Sequence, residues 1–278
     1  QDEDGDKDKL WAMGNFKHEN AVIRADHKTV YQGADATNGQ GYLFKFVATN
    51  AQDLSDGELF VYSGDKINNH EWVKLKNSSQ WERNNTLLQC DSLKALVPSK
   101  ATAFGGIEDV EINPKDSLVY FAVKRESATN LGLDSKGVVY RFNDATSGIE
   151  EFELYAGGNS VYEIDLGNNN SENVAWGNGT DNLVFDDLGN LWVAQDESGE
   201  GRNYIWVIEN GHTQLIPKVK IFARTPLNSE PTGLTFSPDF RYIFMSIQHP
   251  ENNDSFQTDV FGTPISFNED VVLVLARN

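Results

Sequence analysis

Four acidic residues open the same phrase at four places in the chain. Glu19, Glu108, Asp181 and Glu230 each precede a short apolar run, a polar turn and a second apolar run. The turns are Asp26-His-Lys28, Asn113-Pro-Lys-Asp116, Asp186-Asp-Leu-Gly-Asn190 and Ser237-Pro-Asp239. The second runs follow at Val30-Tyr31, Leu118-Val-Tyr-Phe121, Leu191-Trp-Val193 and Tyr242-Ile-Phe-Met245. A side chain that occupies one place in every repeat recurs at one place in the fold, so these carboxylates are expected to converge. Carboxylates held close together raise one another's pKa unless a cation joins them. A hard divalent cation accepts oxygen ligands in flexible geometry, and calcium suits such a site. Asp35 follows the first repeat, and Asp196 and Glu197 follow the third, adding to the acidic set. A single acid at such a place also serves as a turn cap. The register of the whole set is what points to metal.

The elements that must carry these residues read as strands. Runs such as Gly41-Tyr-Leu-Phe-Lys-Phe-Val47, Gly137-Val-Val-Tyr-Arg-Phe142 and Tyr204-Ile-Trp-Val-Ile208 are bounded by Gly, Asn, Asp and Pro. Helical periodicity is nearly absent, and one short helix is expected over residues 89–96. The leading carboxylates lie 89, 73 and 49 residues apart, against roughly 40–50 residues for one propeller blade. The shortest interval reads as one blade and the longest as about two. The predicted fold class is therefore all-β, a β-propeller of about six blades of antiparallel strands. Residues 1–9 read as an acidic N-terminal tail and residues 10–278 as a single propeller domain. Asp2, Asp4 and Asp6 resemble a calcium loop only in part, because Met13 stands where its distal glutamate belongs.

Composition narrows the partners. The 278 residues include 39% hydrophobic and 11% aromatic residues, enough for a core. Against 42 acidic residues stand 23 basic ones, a formal net charge of −19. Such a surface repels nucleic acid and anionic membranes, which require basic patches. No apolar run reaches the roughly 18 residues of a membrane span. No secretory signal opens the chain, and its start at Gln1 suggests processing or truncation. Cys90 is the sole cysteine, which rules out an intrachain disulfide and a cysteine zinc cluster. Sequons at Asn77, Asn84, Asn169, Asn178 and Asn253 would permit glycosylation in a eukaryote. His18 beside Glu19, and Arg202 in Gly199-Glu-Gly-Arg-Asn203, are the catalytic candidates, as general acid and as phosphate contact. No nucleophile elbow or phosphate-binding P-loop is present.

The same residues carry a resemblance to the PhoX family of alkaline phosphatases. Its phrases are Gly14-Asn-Phe-Lys-His-Glu19, Val30-Tyr-Gln-Gly-Ala-Asp35, Gly41-Tyr-Leu-Phe-Lys-Phe-Val47, Glu108-Asp-Val-Glu-Ile-Asn-Pro114, Asp181-Asn-Leu-Val-Phe-Asp186 and Gly189-Asn-Leu-Trp-Val-Ala-Gln-Asp196. The most specific is Glu230-Pro-Thr-Gly-Leu-Thr-Phe-Ser-Pro-Asp239, continuing to Ser246-Ile-Gln-His-Pro250. The resemblance implies a secreted, periplasmic or cell-surface propeller that hydrolyses phosphomonoesters with calcium and iron. It implies metal ligation by Glu19, Glu108 and Glu230, and extends it to Asp181, Asn182 and Asp196. The family's upstream cysteine segment has no counterpart before Trp11, and Cys90 stands in another context, so calcium is expected ahead of iron. Gly106 and Ile107 stand where the family tends to place Arg-Pro, and Asn15 where an arginine is usual.

Two functions of different class follow. One is a PhoX-like metal-dependent phosphomonoesterase or a catalytically impaired relative. The other is a non-catalytic calcium-binding propeller that acts as a binding module or accessory subunit of a secreted or cell-surface assembly, with a protein partner on one face. A lactonase-like calcium propeller is a third reading, against which the Glu-Pro-Thr-Gly phrase argues.

Overall fold

The structure, a computed structural model, describes residues 9–36, 38–197, 201–251, 257–259 and 261–276. Residues 1–8 of the acidic tail and the sequon at Asn253 lie outside them.

Each of the four repeats folds as an antiparallel hairpin that opens a sheet. The first sheet runs β1 (His18–Ile23), β2 (Thr29–Ala34), β3 (Gly41–Asn50), β4 (Asp53–Ser63) and β5 (Glu71–Lys74) in spatial order. Two helices follow, α1 (Gln80–Asn84) and α2 (Thr86–Lys94), and then β6 (Ala103–Phe104) returns to pair with β3. The second sheet contains β7 (Ile107–Ile112), β8 (Val119–Ala128), β9 (Leu133–Ala145) and β10 (Gly148–Gly157) in simple meander order. A two-stranded ribbon, β11 (Val161–Gly167) and β12 (Asn170–Ala175), precedes the third sheet. That sheet is a meander of β13 (Thr180–Phe185), β14 (Leu191–Gln195), β15 (Tyr204–Ile208) and β16 (Val219–Arg224). The fourth sheet joins β17 (Glu230–Phe236) and β18 (Tyr242–Gln248) to β21 (Val271–Ala276), with the short ribbon β19 (Gln257–Thr258) and β20 (Pro264–Ile265) between them in sequence.

The described residues thus form four sheets of blade size. The 89-residue interval holds one sheet and a helical insertion, and the 73-residue interval holds one sheet and the β11–β12 ribbon. Among the described residues neither interval holds two sheets of blade size. The helix expected over residues 89–96 is α2, and it starts earlier. Ser79 and Glu82 form a reciprocal capping box ahead of α1, satisfying backbone donors at its start.

The turn acids explain why the hairpins fold where they do. Asp26 accepts the amides of Lys28 and Thr29, each at 2.9 Å. Asn113 accepts from Lys115 at 2.9 Å and Asp116 from Leu118 at 2.9 Å. Asp186 accepts from Leu188 at 3.0 Å and Asn190 at 2.9 Å. Asp239 accepts from the Ser237 hydroxyl at 2.6 Å. Each turn also contains a residue in the left-handed region, His27, Ser117, Gly189 or Phe240. These acids hold turns, and the leading carboxylates are left to other work.

Backbone contacts divide the chain into two compact units, Gln1–Val110 with Phe142–Glu153, and Glu111–Arg141 with Leu154–Asn278. In the first unit, Val30, Tyr42, Phe44, Phe46, Leu59 and Val61 of the sheet pack with Ala12, Met13, Leu75 and Cys90 of the covering segments. Cys90 is fully buried there, and burial pushes its thiol pKa up, so it is an inert packing residue. In the second unit one cluster centres on Trp176 and Trp206, whose rings stack 4.9 Å apart. Another joins Ala194 and Ile205 to Leu234, Ile243, Met245 and Ile247.

Candidate metal centre

Sheet geometry sorts the leading carboxylates into two groups. Carboxylate oxygens of Glu19, Asp35 and Glu108 lie within 4.8 Å of one another in the first unit. Those of Asp181, Asp196 and Glu230 do the same in the second. The two triads follow one plan. Each takes an acid from the first strand of a hairpin, an acid just past the second strand, and an acid from the first strand of the next hairpin.

The local backbone shows how this arises. In β1 and β2 the pairing runs His18 with Ala34, then Ala21 with Gln32, so Glu19 and Asn20 sit in a bulge. In β13 and β14 it runs Thr180 with Gln195, then Leu183 with Val193, so Asp181 and Asn182 sit in the matching bulge. A bulge adds one residue to a strand and re-aims its side chains. The Asp35 amide donates to the Lys17 carbonyl at 3.1 Å, and the Asp196 amide donates to the Gly179 carbonyl at 2.6 Å. Each bond brings the second acid beside the first.

The asparagine after each bulged acid ties the next first strand into place. Asn20 donates to the Asp109 carboxylate and, at 3.4 Å, to the Val110 carbonyl of β7. Asn182 accepts from the Thr232 hydroxyl at 2.8 Å and the Gly233 amide at 2.9 Å in β17. Its amide also donates to Asp181 at 2.8 Å. Asn182 therefore positions acids of the second triad, and its oxygen is already engaged by two donors.

Gly179 is where the second triad is most sensitive. Its φ is +70°, and a Cβ there would lie 2.0 Å from the Asp196 carbonyl oxygen. Gly179→Ala should destabilise the fold by about 1–3 kcal/mol and displace Asp196. Chemical denaturation together with calcium titration of the purified variant checks both effects. Unchanged stability with unchanged calcium affinity would show that Asp196 does not depend on this contact.

The electrostatics follow from burial and charge. Glu108 and Asp181 are buried, at 6% and 8% exposure, while Glu19 is exposed and Glu230 is half-buried. Burial, then the neighbouring Asp196 carboxylate, raises the Glu230 pKa above the ordinary value. Lys17 pairs with Asp35, and that bond raises the lysine pKa. Lys124 of β8 lies 2.5 Å from Asp196 and 3.7 Å from Asp181.

His18 and Arg202, the catalytic candidates, both make local contacts. The His18 ring stacks on Phe16 at 3.7 Å, and partial desolvation lowers its pKa, which weakens it as an acid near neutral pH. Arg202 donates to the Thr225 carbonyl at 2.9 Å. Sequence reasoning noted Asp35 without naming it a ligand and overlooked Lys17, Asp109 and Lys124. For Asp35, Lys124 and Asp196 the signal is a similar offset, fifteen or sixteen residues past the leading acid of the repeat; Lys17 and Asp109 have no such signal.

The all-oxygen donor sets fit a hard cation such as calcium. Iron held by cysteine does not fit, since neither triad contains a sulfur or imidazole ligand and Cys90 lies in the core of the first unit.

Comparison with known proteins gives the family. The family model of alkaline phosphatase PhoX matches residues 1–251. Among solved structures, Pseudomonas fluorescens PhoX in complex with vanadate, a transition state analogue, aligns with a TM-score of 0.65 and 22% identity. That alignment covers 97% of this chain and 55% of the other, so the chain spans little more than half of that protein. A putative 6-phosphogluconolactonase from Bacteroides uniformis aligns at a TM-score of 0.36 and 11% identity, over 93% of this chain and 80% of the other. A protein of unknown function from Desulfotomaculum acetoxidans aligns at 0.33 and 11%, over 90% and 69%. No curated protein matches the chain. Among the described residues no helix is long and apolar enough to cross a membrane. The meander sheets and the alignment establish the all-β propeller fold class. With the family model matching most of its length, the chain belongs to the PhoX family of alkaline phosphatases.

Proposed function

We propose that the two carboxylate triads hold divalent cations, calcium foremost, and that the chain supports phosphomonoester hydrolysis of the PhoX type outside the cytoplasm. The observation that carries this reading is the duplication of one three-carboxylate plan at corresponding strand positions. Glu19, Asp35 and Glu108 would hold one cation, and Asp181, Asp196 and Glu230 another. When bound, such cations polarise the phosphoryl group and stabilise charge on its oxygens.

The chain's own residues orient and balance this site. Asn20 and Asn182 fix the strands that carry Glu108 and Glu230. Three acids in each triad would repel a phosphate dianion, and a formal net charge of −19 adds to that barrier. Substrate approach therefore depends on cations, and the lysines at the two triads supply the fixed part. Gly106 and Ile107 stand where the family tends to place Arg-Pro, which favours the second reading, a calcium-binding module without turnover.

Natively purified protein separates the two. Elemental analysis should find calcium, and p-nitrophenyl phosphate should release phosphate in a calcium-dependent reaction that a chelator stops. Calcium without turnover would select the binding module. Absence of calcium binding would overturn both.

A further inference from the structure

We propose that Lys124 is a built-in counter-cation of the second triad and ranks that triad below the first in affinity for a divalent cation. The inference rests on the cation-binding reading above and assigns a residue that sets selectivity between the two triads.

The argument begins with register. Counted from the leading acid of each repeat, Asp35 is sixteen residues past Glu19, and Asp196 is fifteen past Asp181. Sixteen residues past Glu108 stands Lys124. The first two repeats also align without a gap between these limits, with Ile23 matching Ile112 and Val30-Tyr31 matching Val119-Tyr120. The second repeat has therefore placed an ammonium where the first and third place a carboxylate.

The structure shows where that ammonium goes. Lys124 Nζ reaches Asp196 at 2.5 Å and Asp181 at 3.7 Å, so it touches two of the three acids of the second triad. Its side chain is only 20% exposed. Lys17, at the first triad, pairs with Asp35 and has a side chain 70% exposed. An exposed lysine pair contributes little and yields readily to a competing cation. A lysine held on a strand beside two largely buried carboxylates resists displacement, because its charge must leave partners it cannot replace with water at equal benefit. The second triad is thus already part-neutralised, and a divalent cation entering it must either displace Lys124 or bind beside its positive charge. The first triad, with buried Glu108 and a solvent-facing lysine, is the stronger cation site.

Calcium titration of the full chain by calorimetry tests this. Wild type should show one tight site, removed by Glu108→Gln, and one weaker site, removed by Glu230→Gln. Lys124→Met should tighten the weaker site by about tenfold or more, while Lys220→Met, which removes an exposed charge of β16, should leave both within about twofold. Should Lys124→Met fail to fold by circular dichroism, Lys124→Gln removes the charge and keeps a donor. If the folded variant leaves the weaker affinity unchanged, or loses the site, the assignment is wrong. Wild type that binds no calcium beside a Lys124→Met protein that gains a site would uphold Lys124's role and overturn the two-cation reading. Two equal sites indifferent to Lys124 would do the reverse, and no binding by any of these proteins would overturn both.

Discussion

On the proposed phosphatase reading, Glu108→Gln should lower phosphate release from p-nitrophenyl phosphate by about two orders of magnitude or more, with the fold retained. Glu108 lies in β7 at 6% exposure, between buried Ile107 and Val110. Glutamine keeps its size and removes one of three negative charges in the first triad. Calcium affinity at that triad should fall in step with kcat/KM, and excess calcium should restore part of the rate. The same exchange at Glu230 adds a pH signature. Burial and Asp196 raise the folded-state pKa of Glu230, so the unfolded chain ionises first as pH rises. Ionised Glu230 therefore costs stability above its unfolded pKa, and below that value both states are protonated. Glu230→Gln should raise Tm in calcium-free buffer at pH 8 and leave it nearly unchanged at pH 3.5. Full activity of Glu108→Gln at limiting calcium would remove the first triad from catalysis.

The repeats were readable because hairpins are local. A leading acid, two apolar runs and a turn acid such as Asp26 or Asp186 lie within a short stretch, and the turn bonds form between neighbours. The leading acids were readable for the same reason, by their constant place in the phrase. Their partition was not. The contact between Glu19 and Glu108 spans 89 residues and depends on a bulge whose extra residue leaves no mark in the apolar alternation. Asp35 and Asp196 are set by backbone bonds to Lys17 and Gly179, which periodicity does not register. The α1–α2 segment and the β11–β12 ribbon lengthen two intervals without adding a further sheet of blade size among the described residues. The Ser79 and Glu82 pair is a readable helix start, ten residues ahead of the residues 89–96 over which a helix is expected.

Asp144→Ala should destabilise the fold by about 3–5 kcal/mol. The Asp144 side chain is 2% exposed, and four residues of the first unit converge on it. Lys45 lies 2.6 Å away, the Tyr31 hydroxyl donates at 2.5 Å and the Trp72 indole donates at 2.9 Å. Arg24 donates to the Asp144 carbonyl at 2.9 Å and to the Tyr31 hydroxyl at 3.1 Å. Alanine would leave the Lys45 ammonium, the buried Tyr31 hydroxyl and the half-buried Trp72 indole without their acceptor, which costs more than the pair itself contributes. For a chain of this length the loss corresponds to a fall in Tm of roughly 10 °C. Glu58→Ala is the contrast. It breaks a pair with Lys74 in which both side chains are more than half exposed, and it should change stability by less than about 0.5 kcal/mol. Adding Lys45→Met to Asp144→Ala should recover part of the loss, because the stranded charge goes with it. Urea denaturation of the three variants and the double variant measures these differences. If Asp144→Ala and Glu58→Ala were equal, the network would be no stronger than a surface pair, and the burial of Asp144 would carry no energetic weight.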